Sequence, residues 1–389
     1  MNVTRPHRTA APDVLVIGAG VFGLWCARAC AQAGLTVVLA ERTRAGAGAS
    51  GGPVGALTPH QPANWSELKE FQAQSLLALP AEIAALEVET GLATGYAPVG
   101  RLTPVASEKA RQAVTAQSAA AAAHWGGRQL EWRATAPQAG LLAEDALTHG
   151  LIHDTLSARI EPRAYLAALE ASLDALGVVR RYGWRLLEIG DKNGGPVRFD
   201  AGQISAGAVV LAMGWEGFGV AGLTGSAGVK GQAAILAADL PKETPVIQGR
   251  GLYVCAHGTG RVGVGSTSET AWTHPDPDTR LDETVAAARA LCPALAGAPV
   301  IERWAGVRPR APARVPVVGR LPRCEPGHGN IWIANGGYKI GFGLAHAIGR
   351  NVAADIAGQA TPQALPVAFA PEHHRTAIGK NKTRTDPSQ

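Results

Sequence analysis

Two spacings of apolar residues alternate along the chain. Short unbroken runs, "VVLAE" at 37–41, "AVVLAMG" at 208–214, "GRVGVGST" at 260–267 and "NIWIANGG" at 330–337, predict buried strands. Between them lie stretches with helical spacing. In "EPRAYLAALEASLDALG" Pro162 opens a helix, Leu166, Leu169, Leu173 and Leu176 mark one face, and Gly177 follows its end. In "SEKARQAVTAQSAAAAAHWGG" Ser107 is the expected N-cap and Gly126 the stop, with an alanine run that favours helix and leaves small packing surfaces. After about residue 371, "PEHHRTAIGKNKTRTDPSQ" has little apolar content, and residues 372–389 are expected to fray. No internal repeat is visible.

Composition narrows the class. With 389 residues the chain exceeds the size at which a single core stops growing, which predicts two packed units. Hydrophobic residues make up 46% and charged ones 17%, the balance of an ordered globular protein. The net charge of +5 is scattered rather than stacked in basic runs, so nucleic acid is not the expected partner. Five cysteines, at 26, 30, 255, 292 and 324, form no CxxC pair and no zinc spacing, as expected of reduced thiols in a cytoplasmic protein and of a chain with no metal site. Nothing before residue 13 has the order of a signal peptide, and no apolar stretch is long enough to span a bilayer.

The chemistry begins at "DVLVIGAGVFGLWCARACAQAGLTVVLAER". A strand from Val14 to Ile17 enters Gly18-Ala19-Gly20-Val21-Phe22-Gly23, followed by a helix through Cys30 and a second strand ending in Glu41. Gly18, Gly20 and Gly23 suit a tight turn, a close approach of backbone to pyrophosphate, and tight helix-to-strand packing. The helix N-terminus offers unpaired N–H groups to phosphate, and Glu41 stands where ribose hydroxyls would lie. NAD and FAD both fit this unit. The loop after Glu41, "RTRAGAGASGGPVGALTPH", favours FAD, because its small residues, Ser50 and Gly51 among them, let backbone amides approach the diphosphate, and Arg42 at its start is a further candidate to contact the cofactor. Far downstream, "ISAGAVVLAMGWEG" ends a strand in Ala212, Gly214 and Trp215, which suits a return of the sheet toward the dinucleotide.

Three separated pieces, the N-terminal motif with "GASGG", the middle "AGAVVLAMGW", and "WAGVRP…PVVGR…IWIANGGYKIGFGLA", resemble the D-amino acid oxidase, glycine oxidase and sarcosine oxidase superfamily of FAD-dependent amine oxidoreductases. The resemblance implies an α/β fold: a Rossmann-like FAD-binding domain, discontinuous over 13–85, 151–225 and 309–365, with an α+β substrate domain on a mostly antiparallel sheet over 86–150 and 226–308. It implies oxidation of a small amino acid by hydride transfer from the α-carbon to flavin N5, giving an imine that hydrolyses. Neither a metal nor a protein nucleophile is then needed, but a carboxylate clamp is. Arg308 in "WAGVRP" and Lys339 in "GGYKIGFG" are the two implied candidates, the latter segment, Gly336-Gly337-Tyr338-Lys339-Ile340, also wrapping the flavin. Tyr253 aligns with a family tyrosine that lines the substrate cavity, and Lys230 in "VKGQ" falls near the flavin in relatives. His60 follows the glycine-rich loop and is a further candidate. Two departures concern substrate identity: "RAPAR" replaces the family's Pro-Asp-Gly turn after Arg308, and Gly336-Gly337 replaces its Gly-His pair. No cysteine occupies the sarcosine oxidase attachment position, so non-covalent FAD is expected.

The partners implied are a small amine or amino acid and either oxygen or an electron carrier, with the substrate and the oligomer left open. Two other readings stand beside this one. "GASGGPVGALTPH" is also similar to the oxidase domain of the bifunctional enzyme that modifies the tRNA wobble uridine, although a basic face with stacking aromatics is not evident. The chain also fits a subunit of a larger amine dehydrogenase.

Overall fold

A computed structural model describes residues 11–190, 195–322 and 330–375. Its two principal sheets explain the two kinds of apolar run. The first has six strands in the order Val317–Arg320, Ile331–Asn335, Ala208–Leu211, Val14–Ile17, Val37–Glu41 and Val179–Tyr182. All neighbours are parallel except the first pair. Val14–Ile17 and Ala208–Leu211 are buried at every position, as strands covered on both faces must be, and therefore read as continuous apolar runs. Helices Val21–Gln32, Pro162–Ala175, Glu67–Thr90 and Gly341–Ala357 cover one face, and a small sheet of Leu186–Glu188, Val197–Phe199 and Gly202–Ile204 with Phe218 and Leu223 covers the other.

The second sheet has eight strands in the order Val300–Arg310, Ala227–Ala237, Arg261–Gly265, Leu252–Gly258, Val246–Gly249, Arg101–Pro104, Leu151–Asp154 and Leu130–Arg133. Only the Val246–Gly249 and Arg101–Pro104 pair is parallel, so this sheet is mostly antiparallel. Its own core gathers Leu102, Ile247, Val254, Val264, Leu281 and Leu291. Two expected boundaries cut through elements: Leu151–Asp154 belongs to this sheet rather than to the first, and Glu67–Thr90 runs on past residue 85.

Most local expectations match. The predicted helices lie at Pro162–Ala175, with proline in the first turn, and at Glu108–His124, where Ser107 Oγ accepts from the Ala110 amide at 3.2 Å. The expected fraying after 371 needs correction: residues 371–375 are helical, and His374 is fully buried, with the Pro316 carbonyl 3.2 Å from its Nε2. Residues 376–389, like Cys324, lie outside the described residues. The other four cysteines are buried free thiols. Among the described residues, no helix is long and apolar enough to cross a membrane and no cluster could hold a metal ion.

Candidate active site

The parallel sheet meets the antiparallel one across a cavity of about 920 Å³, near the upper end of the roughly 300–1,000 Å³ typical of ligand pockets. One end is built by the first strand, turn and helix. Gly18 adopts φ +106, and a Cβ there would meet the Ala212 carbonyl at 2.4 Å, so only glycine lets the turn cross the neighbouring strand this closely. Gly20 precedes helix Val21–Gln32, whose first turn has no acidic residue and faces the cavity. Ser50 Oγ accepts from the Val21 amide at 3.1 Å and ties the glycine-rich loop to that helix start. Glu41 accepts from the Ala19 amide at 3.0 Å through Oε2 and from the Thr43 amide at 2.9 Å through Oε1. Its carboxylate thus fixes the turns on both sides of the strand end while remaining part of the cavity wall. An anion-ready helix start, turns that leave room for backbone approach and an acid at the second strand fit a dinucleotide in extended form.

At the other end the antiparallel sheet supplies a floor. Trp304, Ala233, Gly265 and Tyr253 are successive cross-strand partners and so share a face. Trp304, Ala233 and Tyr253 line the cavity. The Trp304 indole lies flat along its own strand: a Cβ on Gly306 would meet it at 2.4 Å, and one on Gly52 at 3.0 Å. Tyr253 Oη is 3.3 Å from Thr58 Oγ1.

Arg308 is the buried cation of this floor, 9% exposed. Its guanidinium donates to the Thr267 carbonyl at 3.0 Å and to Ser266 Oγ, and pairs with no carboxylate among the described residues. Burial lowers its pKa from the ordinary arginine value. A buried cation whose partners are neutral is costly to maintain, and an anion entering the cavity would relieve that cost. Lys339 also lines the cavity, but it is exposed, with Nζ 5.6 Å from the Tyr338 ring centre. Tyr338 itself takes φ +43, and its hydroxyl lies 3.2 Å from Ser268 Oγ.

The structure therefore brings Arg308, Lys339 and Tyr253 to one cavity with Gly18, Gly20, Glu41, Arg42, Ser50, Ala212, Gly214, Trp215, Gly337 and Tyr338. Arg42 forms an ion pair with Glu216, joining the end of Val37–Glu41 to the turn after Ala208–Leu211. Six expected residues lie outside its lining. Gly23 sits behind the turn, where a Cβ would meet the Gly18 carbonyl at 1.8 Å, and Gly51 packs on the Gly46 carbonyl at 2.3 Å. Gly336 makes the turn into the final helix at φ +79, and Ile340 caps that helix. His60 is held away by Gln72, whose Oε1 accepts from the His60 amide at 2.8 Å and lies 2.7 Å from Nδ1. Lys230 is 1% exposed on the opposite face of the floor, 2.8 Å from Asp278.

Sequence reasoning missed Trp304, Trp272, Ser266 and Asn335. Trp304 stands four residues before Arg308 in "WAGVRP", and the alternation of a strand already puts the two on one face. Trp272 and Ser266 come from an irregular crossover with no such pattern.

The family model described as "FAD dependent oxidoreductase" matches residues 13–355. A glycine oxidase of Pseudomonas aeruginosa is 30% identical over 378 residues, covering 92% of this chain and 98% of that protein. A tRNA 5-methylaminomethyl-2-thiouridine biosynthesis bifunctional protein of Maricaulis maris is 28% identical over 353 residues, covering 89% of this chain and 52% of that protein. The crystal structure of glycine oxidase from Geobacillus kaustophilus superposes with a TM-score of 0.82 at 22% identity, covering 92% of this chain and 98% of that one. The chain belongs to the FAD-dependent oxidoreductase family, and it is an FAD enzyme.

Proposed function

We propose that this enzyme oxidises a small primary or secondary amino acid, of the size of glycine, an N-alkylglycine or a D-amino acid, at its α-carbon. One observation carries the reading: Arg308 is a buried guanidinium in the cavity floor with only neutral hydrogen-bond partners. A substrate carboxylate there completes an ion pair with a fork able to donate to both of its oxygens. FAD, when bound, supplies the two-electron acceptor for the α-hydrogen. The chain's own residues do the rest: Arg308 fixes the carboxylate, and Trp304 and Tyr253 bound the space on either side of Ala233. The imine released then hydrolyses in solvent.

The likeness to glycine oxidases over nearly the whole chain supports this substrate class. The likeness to a tRNA-modification protein supports a second substrate, a glycine-like group carried on RNA. The buried free thiols support a cytoplasmic site of action. The test is anaerobic mixing of the yellow holoenzyme with glycine, N-methylglycine, D-alanine and a carboxymethylaminomethyl-modified tRNA. Bleaching by a free amino acid supports the proposal. Bleaching by the tRNA alone establishes the second reading, and no bleaching by any of them overturns both.

A further inference from the structure

The seat of the Arg308 guanidinium is not part of the regular sheet. Ser266 and Thr267 begin a crossover from strand Arg261–Gly265 to helix Arg280–Leu291, and an irregular segment of this length needs fastening to hold an atom in place. The fastening comes from the far face of the floor. On strand Ala227–Ala237, Gly231 and Ala233 turn one way and Lys230 and Gln232 the other, by the alternation of strand side chains.

Lys230 and Gln232 are buried and grip the crossover at both ends. Lys230 Nζ lies 2.8 Å from Asp278 and 4.0 Å from Glu269. Gln232 Nε2 donates to Glu269 at 2.9 Å and to Asp278 at 2.7 Å, and its Oε1 accepts from the Asp278 amide at 2.7 Å. The Lys230 and Glu269 backbones exchange two hydrogen bonds, each 2.9 Å. Glu269 in turn accepts from the Thr267 hydroxyl, and Thr267 Oγ1 accepts from the Gln232 amide at 2.9 Å. The Thr267 carbonyl, at the end of this chain of contacts, accepts from Arg308. Arg280 joins at the rim, 3.1 Å from Glu269, but it is half exposed.

Resting on the clamp assigned to Arg308, we propose that Lys230 and Gln232 are positioning residues for the substrate carboxylate site, acting through Glu269, Asp278 and the Ser266–Thr267 seat. Removing either loosens the seat and lets the guanidinium sample positions that fit a carboxylate less well. Neither side chain reaches the cavity lining, so the effect falls on carboxylate binding rather than on FAD.

The experiment titrates acetate, a minimal carboxylate, into holoenzyme and follows the flavin absorption band. It compares wild type, Lys230→Met, Lys230→Arg, Gln232→Leu and Arg308→Met, each normalised to bound flavin. We expect Lys230→Met and Gln232→Leu to weaken acetate about fivefold to tenfold, as loss of a fraction of a charge-assisted bond would. Lys230→Arg should restore most of the affinity, KM for the amino acid should rise with kcat nearly kept, and FAD content should be unchanged. Gln232→Leu leaves the Lys230 ion pair in place and carries the test if Lys230→Met does not fold. Wild-type acetate affinity in both variants, with Arg308→Met impaired, overturns the positioning role alone. Wild-type affinity in Arg308→Met overturns the clamp on which it rests.

Discussion

The guanidinium of Arg308 lies over the α-carbon of Gly231 on the adjacent strand, so closely that a methyl group on Gly231 would stand 2.0 Å from its nearest nitrogen. Gly231 pairs with Gly306 in the strand register, two residues before Arg308, and this pair of glycines leaves the sheet bare where the guanidinium crosses it. Gly231→Ala should therefore push Arg308 out of its place at little cost to the fold, because the clash is with the far end of a flexible side chain. The expected outcome is a drop of about tenfold in kcat/KM, mostly in KM, equivalent to about 1.4 kcal/mol of carboxylate binding. Steady-state kinetics on the best amino acid, with FAD content as the control, decide it; an unchanged KM removes Gly231 from the clamp.

Glu41 offers a prediction at the opposite end of the cavity. Its two oxygens hold the Ala19 and Thr43 amides, so Glu41→Ala frees both turns as well as any ribose hydroxyl. FAD binding should weaken by about 1 to 3 kcal/mol, the cost of leaving such groups poorly paired. Glu41→Gln, which keeps one acceptor oxygen, should fall between. Flavin fluorescence on titration into apoprotein gives the constants, and equal affinity for all three proteins would exclude the role.

Lys339 and Arg308 divide the positive charge of the site unequally. Arg308 is buried and Lys339 exposed, so solvent screens the lysine, and the proposed carboxylate interaction should fall mostly on the arginine. Lys339→Met should leave FAD bound and raise KM for amino acids by no more than about threefold, while Arg308→Met raises it far more. Equal losses in the two variants, measured side by side, would mean that Lys339 shares the clamp.

Much of the dinucleotide end was legible because its constraints are local. A strand, a glycine turn, a helix start and an acid within 28 residues, Val14 to Glu41, each restrict the backbone by their own chemistry. The substrate end depends on register between distant strands, and no local pattern tells that Gly231 will lie beneath Arg308. Lys230 stood out in sequence, but its partners Glu269 and Asp278 come from an irregular crossover. Helix Glu67–Thr90 gives a weak sequence signal because it contains Pro80 and its buried stripe mixes the polar Gln72, Ser75 and Glu82 with apolar residues. The position of His60 outside the cavity lining was not legible, because Gln72, twelve residues on, becomes its neighbour only when that helix forms.

His346, in the final helix, provides a test of the core. It is 2% exposed against Trp25, with ring centres 5.9 Å apart, and burial, aided by Arg350, lowers its pKa from 6.5 to about 3. The unfolded chain thus takes up this proton first as pH falls below about 6.5. The contribution of the neutral imidazole to stability is complete above that pH and shrinks steadily toward about 3. Thermal midpoints of wild type should fall on acidification through this window, and His346→Leu should show a shallower fall; identical slopes would mean that other groups set the acid limb.

Arg308, as the proposed clamp of an amino-acid carboxylate, is the residue on which the proposed oxidation depends most. The direct measurement is the anaerobic rate of flavin reduction against concentration of the best amino acid, for wild type and for Arg308→Lys. Lysine keeps the charge but loses the bidentate fork, so kcat/KM for reduction should fall by about tenfold to hundredfold with FAD still bound. Reduction within twofold of wild type at every concentration would contradict the account.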